Sequence, residues 1–121
     1  MRKVSVLQNK SFNFAKRIVG CTRYLQDKKK EFVMSRQVLR SGTAIGALIR
    51  EAEFARSRQD FCNKMTIALK EANETDYWIS LLKETEYINK EMFNSLNSDC
   101  CELVAMLVST VKTSNEPERC E

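Results

Sequence analysis

Residues 35–82 read SRQVLRSGTAIGALIREAEFARSRQDFCNKMTIALKEANETDYWISLL and contain no proline. Apolar and small residues recur through this stretch at alternating spacings of three and four, which places them on one face of a helix. The polar tetrapeptide at 57–60 resembles a capping box with aspartate in the usual glutamate position, so it predicts the start of a helix. The stretch therefore predicts two amphipathic helices joined by a short turn near Ser57.

The same spacing, followed over the whole chain, predicts four helices. They cover residues 9–28, 35–56, 58–84 and 90–113, with a frayed arm at 1–8 and a disordered polar tail at 114–121. Asn9 or Ser11 is a candidate cap for the first helix, and Asn89 for the fourth. Each helix carries one apolar seam, formed by Phe14, Ile18, Cys21 and Leu25, by Val38, Gly42, Ile45, Ile49 and Ala52, by Phe61, Met65, Ala68, Ala72, Thr75, Ile79 and Leu82, and by Phe93, Leu96, Cys100, Leu103, Leu107 and Val111.

Length and composition favour a single all-α domain over residues 1–121. The 3 glycines and 1 proline leave little room for the turns of a β-sandwich or barrel. Four helices with short connections predict an antiparallel, up-down four-helix bundle. The second helix is apolar or small over much of its circumference, which predicts contact with another subunit as well as with its own neighbours. Gly20 lies inside the first helix, where we expect it to mark a close neighbour or a slight bend.

Cysteine usage and hydropathy predict a cytoplasmic protein. The 5 cysteines form no Cys-x-x-Cys pair, so we expect reduced, packed thiols. The sequence contains no run of 18 apolar residues, so it predicts no transmembrane helix, and its first residues lack the apolar core of a signal peptide. We therefore expect no membrane partner.

Positive charge is concentrated in the first half of the chain. Residues 1–60 hold 14 Lys and Arg against 5 Asp and Glu, whereas residues 61–121 hold 6 against 11. This asymmetry is typical of nucleic-acid-binding proteins, or of basic helices that pack beside acidic ones. The run 28–30 also suits the negative end of a helix dipole. If phosphates are bound, the candidate contacts are Lys16, Arg17, Arg23, Lys28, Lys29, Lys30 and Arg36.

An acidic stripe on the third helix predicts a structural polar network. Glu71 and Glu74 alternate there with Ile67, Trp78 and Leu81, so we expect partly buried carboxylates paired with Arg40, Arg50 or Lys70. The predicted network consists of Arg40, Glu51, Lys70, Glu71 and Glu74.

Catalysis and metal binding are not expected from this sequence. Histidine is absent, which removes the Glu-x-x-His motifs of ferritin-like di-iron sites and any histidine-dependent nucleophilic triad. No phosphate-binding glycine motif is present either. We expect a protein that is not an enzyme and that needs no cofactor.

Several segments resemble one bacterial family. They are S-x-x-x-L-R-S-G-T-x-I-G-A from Ser35, Glu51-Ala52, Asp60-Phe61, and I-A-L-K-E-A-x-E-T-x-Y-W from Ile67 to Trp78. The chain resembles the four-helix bundle proteins encoded by intervening sequences of bacterial 23S rRNA genes, often labelled S23 ribosomal proteins. The resemblance implies a homopentamer of bundles in the bacterial cytoplasm. A related accessory protein of diversity-generating retroelements works with a reverse transcriptase and nucleic acid.

Two functions follow from these observations. The first is an oligomeric protein that binds RNA through its basic first and second helices. Basic and aromatic residues do not interleave along the sequence, so we expect binding that is sequence-tolerant and sensitive to salt. The second is an assembly module that binds a protein partner such as a reverse transcriptase.

Overall fold

The computed structural model of the chain describes residues 2–115, and this part of the chain forms four helices. They are α1 (Arg2–Lys28), α2 (Met34–Ala52), α3 (Arg58–Glu84) and α4 (Lys90–Asn115). Each helix packs on the next one along the chain, and α4 returns to contact α1. Because connections of about five residues join neighbouring helices in contact, the chain forms the predicted antiparallel, up-down four-helix bundle. None of the four helices is long and apolar enough to cross a membrane.

The predicted seams form the core of the bundle. Phe61, Phe93 and Val111 are only partly buried, and every other seam residue is buried. The largest side chains at the centre have no exposed surface: they include Ile18, Leu25, Ile45, Ile49, Met65, Ile79, Leu82 and Leu107. Their burial is the main stabilising contribution to the fold, at roughly 1.5–3 kcal/mol for each large apolar side chain.

Helix α1 is longer than the sequence pattern predicts, and the expected arm is wrong for residues 2–8, while residue 1 lies outside the described residues. The helix begins at Arg2, and Val4 and Leu7 are buried in the core. These two residues extend the seam of Phe14 with the correct spacing, but Ser11 interrupts it with a polar side chain. Ser11 is fully buried and donates its hydroxyl to the Gln8 carbonyl at 3.2 Å, so it lies inside the helix and does not cap it.

The end of α2 also differs from the prediction. The helix ends at Ala52 rather than at residue 56. The next amides, of Glu53 and Phe54, bond carbonyls only three residues back, which tightens and then ends the helix. Ala52 is the last buried residue of this helix, while Phe54 is 78% exposed, so no core contact extends α2 further.

Helix α4 continues to Asn115, two residues past its predicted end. The guanidinium of Arg58 donates to the carbonyl oxygens of Thr113 and Ser114, at 3.2 and 3.0 Å, and satisfies carbonyls of the last turn. Residues 114 and 115 therefore belong to the helix. The rest of the predicted tail, residues 116–121, lies outside the described residues.

Side-chain caps fix the start of α3 and α4 where the sequence predicts them. The Ser57 hydroxyl accepts a hydrogen bond from the Asp60 amide at 3.0 Å. Asp60 accepts in return from the Arg56 amide at 3.1 Å, one residue before its partner in a standard capping box. Asn89 accepts from the Met92 amide at 2.8 Å. These contacts give α3 and α4 their predicted starts, at residues 58 and 90, and α3 also ends at the predicted residue, 84.

A buried carboxylate that no local sequence pattern predicts caps α2. Glu31 is only 8% exposed, and its two carboxylate oxygens accept from the amides of Val33, Met34 and Ser35 at 2.8–3.1 Å. Lys30 has a φ of 54°, and this left-handed residue turns the chain so that Glu31 meets the start of α2. An anion at this position also stabilises the positive end of the helix dipole.

The two glycines inside α1 and the first half of α2 have opposite surroundings. A Cβ atom at Gly20 would meet nothing within 4 Å, so the expected close neighbour at this position is wrong. A Cβ atom at Gly42 would lie 2.8 and 2.9 Å from Cγ1 and Cγ2 of Ile18. Glycine at position 42 therefore lets α1 and α2 approach each other closely.

Candidate functional site

All seven predicted phosphate contacts have exposed side chains. They are Lys16, Arg17, Arg23, Lys28, Lys29, Lys30 and Arg36. Six lie in α1 or in the connection after it, and Arg36 lies in α2. Lys16 and Arg23 are seven residues apart and lie on the same face of α1. The structure does not gather all seven into one site. It distributes them along α1 and around the end of the bundle where α2 begins.

Among residues 4–115, Arg17 is the one member of this set that pairs with a carboxylate. Its guanidinium pairs with Asp99 at 2.6 Å and also bonds the carbonyl and hydroxyl of Ser95. Lys10 pairs with Glu102 one turn further along α4. Ion pairs thus bridge α1 and α4, and part of the charge asymmetry serves contacts between basic and acidic helices of the same chain.

The other six cations have no carboxylate partner between residues 4 and 115. The ammonium of Lys16 lies 5.5 Å from the centre of the Phe12 ring, a cation–π contact that leaves its charge accessible. An exposed cation without a carboxylate partner keeps its full attraction for an anion from solution. These six side chains are therefore the available anion contacts of α1 and the start of α2.

An apolar groove runs between α1 and α2. Its cavity of about 500 Å³ is lined by Phe12, Ala15, Gly46, Ala47 and Phe54, with Arg50 and Glu51 at its edge. Phe12 is 56% exposed. The amide nitrogen of Gln8, which also lines the groove, is buried without a hydrogen-bond partner among the described residues. A groove with exposed phenylalanines and an unpaired amide is typical of a contact surface.

The predicted polar network divides into two clusters. Arg40 of α2 pairs with Glu71 at 3.2 Å and with Glu74, and Glu74 also accepts from the Trp78 indole at 3.0 Å. Glu51 pairs instead with Lys64 at 3.0 Å, near the other end of the same two helices.

Lys70 and Arg50 take no part in this network. Neither forms an ion pair within the part of the chain that the structure describes. The hydrogen bonds from Trp78 and Arg40 lower the pKa of Glu74 below its ordinary value, and the hydrogen bond to Glu74 raises the pKa of Arg40. Both clusters lie at the protein surface, so their expected contribution is to helix register more than to stability.

The first prediction concerns the Glu74 cluster and pH. A carboxylate whose pKa is lowered on folding stabilises the folded state above its unfolded pKa, and this contribution disappears as the pH falls through the folded pKa. The side chain is 38% exposed. We therefore expect Glu74→Gln to lower the free energy of unfolding by less than about 1 kcal/mol at pH 7. Urea unfolding at pH 7 and near pH 3 checks this: the difference from wild type should be smaller at the lower pH, and an equal difference at both would contradict it.

Two buried cysteines, Cys21 and Cys100, are not activated nucleophiles. Burial raises the pKa of Cys21 to about 11 and that of Cys100 to about 12. A thiol with so high a pKa stays protonated near neutral pH and is a poor nucleophile. Among residues 4–115, no group of three or more cysteine, aspartate and glutamate side chains converges as metal ligands would.

Comparisons with known proteins identify related chains. Residues 3–109 match the family model of the 23S rRNA-intervening sequence protein. The chain is similar to a crystal structure of a protein with unknown function from the S23 ribosomal protein family of Bacteroides thetaiotaomicron VPI-5482. The two share 56% sequence identity with a TM-score of 0.89, over 91% of this chain and 98% of the other. No curated protein matches the chain.

Proposed function

The chain belongs to the 23S rRNA-intervening sequence protein family, and we propose that it is a non-enzymatic homo-oligomer that binds RNA with little sequence preference. The observation that carries this proposal is the set of six exposed cations on α1 and the start of α2 that have no carboxylate partner among the described residues. They are Lys16, Arg23, Lys28, Lys29, Lys30 and Arg36. Cations that an intramolecular partner does not neutralise are available to phosphates.

Repetition of these cations in an oligomer strengthens the proposal. Single phosphate contacts are weak, but each neutralised phosphate releases counterions, so several contacts together give substantial affinity at low salt. Contacts to phosphates alone read no bases. The expected binding is therefore tolerant of sequence, and its logarithm falls with the logarithm of salt concentration by about 0.7 for each single-strand contact.

The second prediction tests RNA binding. We expect the wild-type protein to bind labelled single-stranded RNA at about 50 mM salt, and the triple variant Lys28→Gln, Lys29→Gln, Lys30→Gln to bind at least about tenfold more weakly with a shallower salt slope. Fluorescence anisotropy over a salt series measures both. The matched control is Lys64→Gln, Lys70→Gln, Lys112→Gln, which removes the same charge from α3 and α4.

Two results would contradict this prediction. Equal weakening by the two triple variants would mean that net charge, and not the basic run at 28–30, determines binding. Absence of any RNA or DNA binding by the wild-type protein would overturn the nucleic-acid proposal. The charge asymmetry would then belong to protein–protein contacts, as expected for an adaptor that binds a partner such as a reverse transcriptase.

The groove between α1 and α2 is the proposed contact between subunits. Its proposed occupant is a second copy of this chain. The groove lies on the basic half of the chain, and the acidic half presents exposed apolar residues of α3, Ile67 and Tyr77, that could pack into it. A contact between two different faces of identical chains generates a ring when the rotation between neighbouring subunits closes. The expected ring is a pentamer. The buried, unpaired amide of Gln8 would find its acceptor in such an interface.

The third prediction tests this interface. Light scattering of the wild-type protein at micromolar concentration should give about five times the 14.0 kDa chain mass. The double variant Phe12→Ser, Phe54→Ser should give the monomer with its helicity retained, because both rings are exposed within the subunit. Val33→Ser is the control, since Val33 is 73% exposed and lies outside the groove. A 14.0 kDa wild-type species would refute the assembly.

A reducing compartment suits the cysteines. Cys21, Cys62, Cys100 and Cys101 are free thiols. Free thiols, including the exposed Cys101, persist in the cytoplasm, where disulfides are rare. We therefore place the proposed function in the bacterial cytoplasm.

A further inference from the structure

A second cavity lies at the end of the bundle where α1 and α3 end and α4 begins. It has a volume of about 440 Å³, within the range of small-ligand sites. Its lining brings together lysine and tyrosine side chains from three helices and two connections: Tyr24, Lys29, Lys83, Glu86, Tyr87 and Lys90, with residues 88–89. These residues are up to 66 positions apart in the sequence, so no local pattern reveals the cluster.

The lysines of this cavity are not all explained by helix stability. Lys83 lies in the last turn of α3, where a cation is favourable, and it pairs with Glu84 at 3.6 Å. Lys90 is the first residue of α4, where the helix dipole disfavours a cation. Lys29 and Lys90 have no carboxylate partner among residues 4–115. The lining therefore carries three cations against one carboxylate, that of Glu86.

Glu86 has a structural role that accounts for its place in the cavity. It has a φ of 67°, and the Tyr87 amide bonds the Leu82 carbonyl at 2.9 Å, which is the chain reversal that ends α3. This reversal carries Tyr87 across the end of the bundle to the same cavity as Tyr24. Both rings are partly buried against the core, and neither hydroxyl has a hydrogen-bond partner in the described part of the chain.

We propose that this cavity binds one nucleotide of single-stranded RNA, with the phosphate held by Lys29, Lys83 and Lys90 and the base against Tyr24 or Tyr87. Aromatic rings beside lysines are the combination that single-strand-binding proteins use, because every base has a face that can stack. This role depends on the RNA binding proposed above, and it supplies a stacking contact that the sequence does not show. It also predicts a preference for single strands over duplex, in which bases are not free to enter.

The charge test uses Lys83→Gln with Lys90→Gln, two lysines outside the set of α1 and α2. The probe is a fluorescein-labelled oligouridylate of twelve nucleotides at about 50 mM salt. We expect the double variant to bind at least about tenfold more weakly than the matched control Lys70→Gln with Lys112→Gln, which removes one exposed lysine from each of the same two helices. Equal affinities for the two variants, with wild-type binding intact, would overturn the proposed nucleotide site in the cavity and would leave the general RNA-binding proposal unaffected. No wild-type binding would overturn both.

Photocrosslinking locates the base. Oligouridylate that contains 5-bromouridine is bound to the wild-type protein, irradiated, and mapped by mass spectrometry. We expect crosslinked peptides that contain Tyr24 and Tyr87, and less crosslinking at Tyr77, although its ring is 58% exposed. Crosslinks found mainly at Tyr77 or Phe12 would overturn the proposal, because they would place the bases on other faces of the bundle.

Discussion

Valine in place of Gly42 is expected to lower the free energy of unfolding by about 2–3 kcal/mol. The first atom added, Cβ, would already lie 2.8 Å from Ile18, and Ile18 has no exposed surface into which it could move. The two γ-methyl groups of valine enlarge the overlap. Helices α1 and α2 must therefore separate, which opens a poorly packed seam along the core. Urea unfolding followed by circular dichroism measures the change.

Gly20→Ala is the matched control for this substitution. It also replaces a glycine inside a helix, but its Cβ meets nothing within 4 Å. Alanine there is expected to raise the free energy of unfolding by up to about 1 kcal/mol, because it restricts the unfolded chain and favours the helix. If the free energy of unfolding falls for Gly42→Val and rises for Gly20→Ala, the effect at position 42 comes from the close approach of the helices and not from helix propensity. A neutral Gly42→Val would mean that the α1–α2 seam relaxes without cost.

Alanine in place of Glu31 is the second large effect, a loss of about 2 kcal/mol. The substitution removes the acceptor of three amide hydrogen bonds at the start of α2 and leaves those donors in a partly buried turn. It also removes an anion from the positive end of the helix dipole. Thermal and urea unfolding measure the loss, and amide hydrogen exchange should be faster at residues 33–35.

Glu84→Ala provides the comparison for Glu31→Ala. Glu84 lies at the same end of the bundle, but its side chain is 72% exposed, and its one ion pair among residues 4–115 is with Lys83. We expect its replacement to change the free energy of unfolding by less than about 0.5 kcal/mol. If both substitutions had the same small effect, water would be as good a hydrogen-bond acceptor for the amides of residues 33–35 as the Glu31 carboxylate is.

Local sequence signals located the helices where the signal was continuous. Residues 57–60 placed the start of α3, and Asn89 placed the start of α4, because a side-chain cap acts within three residues of its own position. The same reasoning failed at the N-terminus. Ser11 is a polar residue at a seam position, so the pattern stopped there although Val4 and Leu7 continue it.

Long-range choices among equivalent side chains were beyond the sequence pattern. Arg40, Arg50 and Lys70 were all within reach of the acidic stripe on any helical projection, and only the packing of α2 on α3 selects Arg40 for Glu71 and Glu74. Glu31 is similar: its sequence position lies between two helices, and the left-handed turn at Lys30 decides that it caps the second one.

By itself, the sequence determined the helical class, the four apolar seams and the uneven distribution of charge. Each of these three properties is a repeat or a sum along the chain, and none of them depends on which helices are neighbours. Tertiary structure decided which cations remain unpaired, where α1 and α2 touch at Gly42, and how Tyr24 and Tyr87 meet three lysines in one cavity. Those properties are distances between residues far apart in sequence, and they are fixed only when the core closes and sets the position of every helix relative to its neighbours.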